Sequence, residues 1–363
     1  MKPTSQPYDR APFIVIWEVT RACDLVCAHC RAEAQPRCDP QELSPDEGLA
    51  LLDHVKDEFG EPVVVFTGGD PLKRPDLASL IRHGTDLGLR VALTPSATPL
   101  LTERAIDGLR GAGLVRLAVS IDGADPATHD RFRGVRGTFE RSLAALRHAR
   151  RVGMETQINS SIWRGNRGQL HALADLAVEL GVSLWSVFLV VPTGRAAADL
   201  LLSAQEHEEV YQALVDLVRR EARPLAIKTT AGQPFYRALA QRGLRRTGTR
   251  PGAPGSTGAG MRSVQPVNDG NGFVFVSHTG DVCPSGFLPL VCGNVRETPL
   301  ASIYREHPQF VALRDPRRLG GKCGVCEFRK LCGGSRSRSF GVTGDPLAAD
   351  PTCVYVPSRL SVA

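Results

Sequence analysis

Short apolar runs alternate with amphipathic stretches from residue 13 to beyond residue 220. The apolar runs lie at 13–19 (FIVIWEV), 63–66 (VVVF), 90–94 (RVALT), 116–121 (RLAVSI) and 184–191 (LWSVFLVV), and the more polar 155–162 (ETQINSSI) reads as a strand between the last two. Runs rich in β-branched residues, without strict polar alternation, mark strands buried on both faces, as in a parallel sheet. Helical periodicity fills the gaps at 45–58, 75–87, 103–111, 139–152, 167–180 and 205–221. Ser44 opens the first of these, and Glu47 stands three residues on, which is the pattern of a capping box. Six strand-then-helix units in series predict an α/β fold with a right-handed wound parallel sheet. A further strand is expected at 225–229. Periodicity alone leaves open whether the sheet stays flat or curls toward a barrel.

The pattern stops at 242–261, a stretch rich in Gly, Pro, Thr and Arg that reads as a surface loop or linker. Beyond it, 273–277 and 281–283 flank a His-Thr-Gly turn and predict a small hairpin, and 300–306 predicts a short helix. The rest is cysteine-rich, irregular and poor in core residues, so a metal cluster is its expected staple. The expected organisation is a tail at 1–10, a core at 11–235, a basic linker at 236–265 and a small C-terminal domain at 266–363.

Composition adds limits. Hydrophobic residues make up 42% of the 363 and charged residues 23%, which excludes wholesale disorder. The net charge of +6 is too mild to call for nucleic acid, and it suits an anionic small ligand or an acidic peptide. No apolar run approaches a membrane span, and the polar, proline-bearing start is not a secretory signal, so a cytoplasmic protein is expected. Ten cysteines then need a reason: Cys23, Cys27, Cys30, Cys38, Cys283, Cys292, Cys323, Cys326, Cys332 and Cys353. Clustered cysteines in a cytosolic chain point to metal or catalysis rather than disulfides.

Cys23, Cys27 and Cys30 form C-x3-C-x2-C directly after the first strand. Structural zinc closes with four ligands, and cubane clusters usually take four cysteines. Three thiolates leave one metal position open; zinc or inert buried cysteines remain the alternative. This segment resembles the signature of the radical S-adenosylmethionine (SAM) enzymes. The resemblance implies a partial (β/α)6, TIM-like barrel and a [4Fe-4S] cluster held by the three cysteines. SAM would chelate the fourth iron and be cleaved to a 5′-deoxyadenosyl radical, which takes hydrogen from a substrate. The run Thr67-Gly68-Gly69-Asp70-Pro71 resembles the family's Gly-Gly-Glu-Pro motif, with Asp70 in place of Glu and an implied role at the SAM amino group. Its adjacent glycines are expected to let the backbone approach a ligand closely. Ser120 and Asp122 fall at the implied ribose edge, and Arg133 at the SAM carboxylate, a solvated loop charge being the alternative for Arg133. Asn159 and the run 191–195 match positions around the adenosine. No side chain is singled out as a catalytic acid, base or nucleophile.

Cys323, Cys326, Cys332 and Cys353 supply four thiolates, enough to close a cluster; a zinc ribbon is the structural alternative. The segment resembles the auxiliary-cluster domain called SPASM. That pattern places further cysteines where this chain has Thr298 and Arg336, the latter with Ser335 beside it, so one auxiliary [4Fe-4S] cluster is expected rather than two. Cys283 is the reserve ligand, while Cys38 and Cys292 are expected to be apolar filler. The run 323–347, with 293–297, is similar to radical SAM enzymes of haem and haem d1 assembly. That similarity implies removal or decarboxylation of side chains on an iron tetrapyrrole. Arg336, Arg338 and the linker residues Arg245, Arg246 and Arg250 would suit the carboxylates of such a substrate, and His278 could be an axial haem ligand. Two other readings compete. One is a SPASM-type maturase of a ribosomal peptide or small metabolite, although about ten residues before the first strand leave no room for a peptide-clasping module. The other is a non-catalytic iron–sulfur electron carrier. An acidic ferredoxin or flavodoxin is the expected electron donor.

Overall fold

The computed structural model describes residues 8–220, 225–244 and 267–360. Its strands are β1 (Ile14–Thr20), β2 (Val63–Gly68), β3 (Arg90–Leu93), β4 (Arg116–Ser120), β5 (Glu155–Ile162), β6 (Leu184–Leu189), β7 (Ala226–Thr230), β8 (Phe273–Val276) and β9 (Val282–Cys283). They form one sheet in the order β7-β6-β5-β4-β3-β2-β1-β8-β9. Every pairing from β7 to β8 is parallel, and only β8 with β9 is antiparallel.

The helices between strands are α1 (Pro45–Phe59), α2 (Leu77–Asp86), α3 (Glu103–Gly111), α4 (Pro126–Arg133), α5 (Thr138–Arg151), α6 (Leu170–Glu179) and α7 (Ala204–Arg219). α8 (Pro234–Gln241) follows β7, and α9 (Leu300–Glu306), α10 (Pro308–Arg314), α11 (Gly321–Val325) and α12 (Arg336–Thr343) complete the chain. Ser44 caps α1 in the expected box with Glu47, and Thr102 and Ser203 cap α3 and α7.

Side-chain alternation explains the shape. Val15, Trp17 and Val19 of β1 pack with Leu51, Leu52 and Val55 of α1 in the main core. Ile14 and Ile16 of β1, Val65 of β2, Ala92 of β3, Ala118 of β4, Asn159 of β5 and Phe188 of β6 instead line one cavity of about 770 Å³. Strands from the whole sheet can face one cavity only if the sheet curls, so helices clothe the convex side and the concave side stays open: a partial barrel.

Several expectations shift. The predicted helix at 75–87 begins at Leu77, preceded by a 3-10 turn at Pro71–Lys73 that Asp70 caps. The stretch around Arg133 is not a loop but α4, capped by Asp125 and ended by Gly134 at φ +74°. The expected core boundary at 235 falls inside α8. The predicted hairpin forms, but β8 lies parallel on β1, so the expected division at 266 precedes a strand that belongs to the barrel sheet. The C-terminal part is richer in core than expected. Tyr304 and Phe310 are fully buried there, and Phe59 of α1 meets Tyr304 edge-on at 5.7 Å. Arg245, Arg246 and Arg250 lie outside the described residues.

Candidate functional site

β1 ends at Thr20, and the chain turns across the C-terminal mouth of the barrel as the cysteine loop. Cys23, Cys27 and Cys30 all line the cavity. None is in a disulfide. Backbone amides aim at two of the sulfurs, Leu25 N–H at Cys23 Sγ (3.4 Å) and Ala34 N–H at Cys30 Sγ (3.4 Å), and Arg133 Nη1 approaches Cys27 Sγ at 3.8 Å. Burial raises the pKa of the Cys23 and Cys27 thiols, in Cys27 against the pull of Arg133. Buried thiols stay protonated unless a metal takes the proton's place, and N–H donors aimed at sulfur stabilise the resulting thiolate. No three His, Cys, Asp or Glu among the described residues converge as they would on a single metal ion. A cubane is wider than one ion, so thiols spread around a cavity mouth fit it better than zinc.

Gly68 and Gly69 end β2 beside this loop. Their lack of side chains serves the protein itself. A Cβ on Gly69 would stand 2.5 Å from Ala22 O and one on Gly68 2.3 Å from Thr20 O. The close approach expected toward a ligand is thus, first, an approach to the cysteine loop, secured by Gly69 N–H to Thr20 O (2.8 Å) and Asp70 N–H to Ala22 O (2.6 Å). Asp70 is fully buried beneath them, where its carboxylate accepts from Thr98 Oγ1 (2.6 Å) and the Leu72 amide (3.2 Å), and burial raises its pKa. Pro71 starts the 3-10 turn below.

Ser120 and Asn159 are register partners on β4 and β5, and both line the cavity. Asp122 is buried behind them. Its Oδ2 takes Arg133 Nε at 2.6 Å and its Oδ1 the Ser161 amide at 2.6 Å. Burial disfavours its ionisation, but the charge of Arg133, helped by the Ser161 amide, outweighs that and holds its pKa low. Arg133 therefore bridges Asp122 and Cys27 rather than standing in solvent. Sequence reasoning missed the residues around it. His29 stacks on Phe132 (4.0 Å, 2°), which stacks on Trp163 (4.8 Å, 3°). Burial, with Arg133 next, keeps His29 neutral by lowering its pKa to about 3. Arg195, at the end of the 191–195 run, places its amide on Cys30 O (3.0 Å), and its Nε and Nη2 are buried without a hydrogen-bond partner. These orphaned guanidinium nitrogens put positive charge next to the cysteine loop, although Arg195 itself does not line the cavity.

The four thiols of the second group come together. Cys323, Cys326, Cys332 and Cys353 line one small cavity with Gly333, Gly334 and Tyr355. Asp350 N–H points at Cys323 Sγ (3.4 Å) and Gly334 N–H at Cys332 Sγ (3.4 Å). Burial pushes the Cys332 thiol well above its ordinary pKa. Free thiols ringed by amide donors again fit a cluster.

Four expectations for the surroundings need correction. Arg336 and Arg338 are not free to meet a substrate, because both are buried. Arg336 donates to Ala348 O (2.7 Å) and Pro346 O (3.0 Å), and Arg338 pairs with Asp350 at 3.1 Å and donates to Ala231 O at 2.5 Å. His278 is no exposed turn residue or free axial ligand. It is buried, with Nδ1 3.2 Å from Glu18 Oε1 and Nε2 3.6 Å from Asp39. Cys283, the reserve ligand, lines neither thiol cavity, and Cys38 is exposed rather than filler; Cys292 is buried as expected, and burial pushes the Cys283 and Cys292 thiols to about 12.

This geometry has known counterparts. The family model of the Radical SAM superfamily matches residues 17–177. The AdoMet-dependent heme synthase of Nitratidesulfovibrio vulgaris is 41% identical over 350 residues, covering 96% of this chain and 94% of that one. The AdoMet-dependent heme synthase of Methanosarcina barkeri is 38% identical, covering 96% and 98%. Among solved structures, Streptococcus suis SuiB bound to precursor peptide SuiA superposes with a TM-score of 0.71 at 18% identity, over 95% of this chain and 76% of that one. The chain belongs to the radical SAM superfamily. It is an enzyme of that class, working with a [4Fe-4S] cluster and SAM, and the reading as a mere electron carrier falls. Among the described residues, no helix is long and apolar enough to cross a membrane.

Proposed function

We propose that this enzyme removes or decarboxylates carboxylate side chains on an iron tetrapyrrole. The observation that carries the reading is likeness to AdoMet-dependent heme synthases over nearly the whole chain, through both thiol groups. A cavity of about 770 Å³ walled by Ile14, Ile16, Phe188, Phe273, Phe275 and Phe287 supports it, because a flat apolar macrocycle needs such a space.

In this reading Cys23, Cys27 and Cys30 hold the SAM-binding cluster, and Cys323, Cys326, Cys332 and Cys353 hold one auxiliary [4Fe-4S] cluster. Together, bound cluster and SAM supply one-electron cleavage and a hydrogen-abstracting radical. The chain's own residues do the rest. Gly68, Gly69, Ser120 and Asn159 border SAM from β2, β4 and β5. Asp70, Pro71 and Asp122 brace that border from below, and Arg133 and Arg195 neutralise anionic charge. Loss of a hydrogen atom and then CO2 from a propionate leaves a vinyl group and releases one electron; a cluster held by Cys323, Cys326, Cys332 and Cys353 would supply an acceptor for it. An acidic ferredoxin or flavodoxin would deliver the initiating electron, and ten cysteines with no disulfide among them favour a reducing, cytoplasmic setting.

The test is 5′-deoxyadenosine formation by anaerobically reconstituted protein with SAM and a strong reductant, with and without carboxylated iron tetrapyrroles whose masses are followed. Stimulated cleavage with loss of CO2-derived mass is expected. Slow cleavage that no tetrapyrrole alters would discard this substrate class and turn the search to peptides and small metabolites.

A further inference from the structure

One cation at the cysteine end of the cavity is built unlike the others. Arg31 follows Cys30 and lines the cavity on the β1–β8 side. Its guanidinium lies 4.8 Å from the centre of the Phe275 ring and 6.0 Å from that of Phe287. The third wall is Gly286, where an added Cβ would sit 3.0 Å from Nε, Nη1 and Cζ. The result is a narrow slot, with aromatic walls, that holds a planar group in one orientation.

Glu18 fixes that orientation. It is fully buried at the inward end of β1, and its Oε2 is 2.8 Å from Arg31 Nη2. The same carboxylate also serves Arg21 at 3.3 Å and His278 at 3.2 Å. One negative charge spread over two arginines and a histidine does not cancel the charge on Arg31. The other cavity-lining arginines are used differently. Arg133 is paired with Asp122, Arg90 and Arg116 with Glu155 at the opposite, N-terminal end of the strands, and Arg150 donates to Leu180 O.

We propose that Arg31 is the docking point for a carboxylate of the substrate, a positioning residue that fixes which side chain of the macrocycle faces the reacting centre. The proposal rests on the tetrapyrrole reading and adds the contact that orients the ring. A guanidinium fork receives a carboxylate with two parallel N–H···O bonds, and low-dielectric aromatic walls strengthen them. Phe275 and Phe287 then meet the apolar ring to which that carboxylate is attached. Lysine could offer the charge but not the fork.

A carboxylate could also come from the methionine half of SAM, so the test separates the two. Wild-type holoenzyme and Arg31→Lys are titrated anaerobically, without SAM, with iron coproporphyrin as the free acid and as its tetramethyl ester. SAM affinity is measured separately. Arg31→Lys keeps a cation against Glu18, so the fold and iron content hold. The expected result is a loss of about tenfold or more in affinity for the free acid, the scale of a charge-assisted hydrogen bond, with ester binding within about twofold of wild type. Phe287→Ala should weaken acid and ester alike, because it removes wall and not charge. Equal loss for acid and ester in Arg31→Lys, no loss for either, or weakened SAM binding with unchanged acid binding would each overturn the assignment while leaving the tetrapyrrole reading intact. Wild type that binds neither porphyrin overturns both.

Discussion

The two thiol groups are built on opposite plans. Cys23, Cys27 and Cys30 sit at the mouth of a large cavity, on a loop held by backbone contacts to the end of β2. Cys323, Cys326, Cys332 and Cys353 enclose a small one, on turns held by buried charge. Asp350 shows the second plan. It receives the Ser335 amide at 2.8 Å and Arg338 at 3.1 Å, and its own amide points at Cys323 Sγ. Three thiols leave a cubane one open coordination position that a small molecule can share, whereas four close it, and the two spaces differ in size, about 770 Å³ against about 20 Å³. The comparison teaches that ligand number and access were set together, and the access comes from the fold.

The sharpest way to test this is to remove one thiol from each group. Cys27→Ala should abolish 5′-deoxyadenosine formation, a loss of three orders of magnitude or more on the scale of removing an essential centre (~10³). Cys323→Ala should abolish product formation but retain slow SAM cleavage. Chromatographic quantification of 5′-deoxyadenosine and product in both variants checks this, and loss of cleavage in Cys323→Ala would erase the distinction between the groups.

Next in size is the buried pair that frames the closed site. Arg338→Met leaves Asp350 charged and buried without its main partner, which should cost about 3 kcal/mol or more. Lowered thermal midpoints together with iron retained only by the first group are expected. A variant with full iron content and an unchanged midpoint would show that the closed site does not depend on this pair.

The smallest effect concerns the open site. Burial opposes ionisation of Glu18, yet Arg31, His278 and Arg21 hold its pKa near 2, against an ordinary 4.5. A depressed carboxylate stabilises the fold above its unfolded pKa and stops doing so as pH falls. The contribution, at most about 3.5 kcal/mol, should therefore fade as pH drops from about 4.5 toward about 2. Urea midpoints at pH 6 and pH 3 should diverge less in Glu18→Gln than in wild type.

Much of this architecture is legible in the chain, for reasons that can be named. Five of the six strands stand out because their apolar runs, such as VVVF, are short and bounded, and the polar ETQINSSI stands out by its place in the series of strand and helix. The cysteine loop stands out because its spacing is local. What escaped depends on distant partners. α4 is short and polar, and its cap, Asp125, becomes visible only with the Gln169 that binds it. Arg336 and Arg338 look like surface charge until Asp350 and the carbonyls of 346 and 348 fold over them. Glu18 carried a signal that sequence reading passed over, a lone acid inside FIVIWEV, which only buried cations can justify.

The pairing of β8 with β1 bears on how such enzymes diversify. Phe273 and Phe275 belong to β8, and with Phe287 they wall the same cavity as the strands of the first half. A chimera joined anywhere between residues 245 and 266 would therefore import its donor's staves along with its donor's thiols. The C-terminal third is not a detachable redox cassette on a neutral barrel. Whoever grafts it also recasts the mould into which the substrate is pressed.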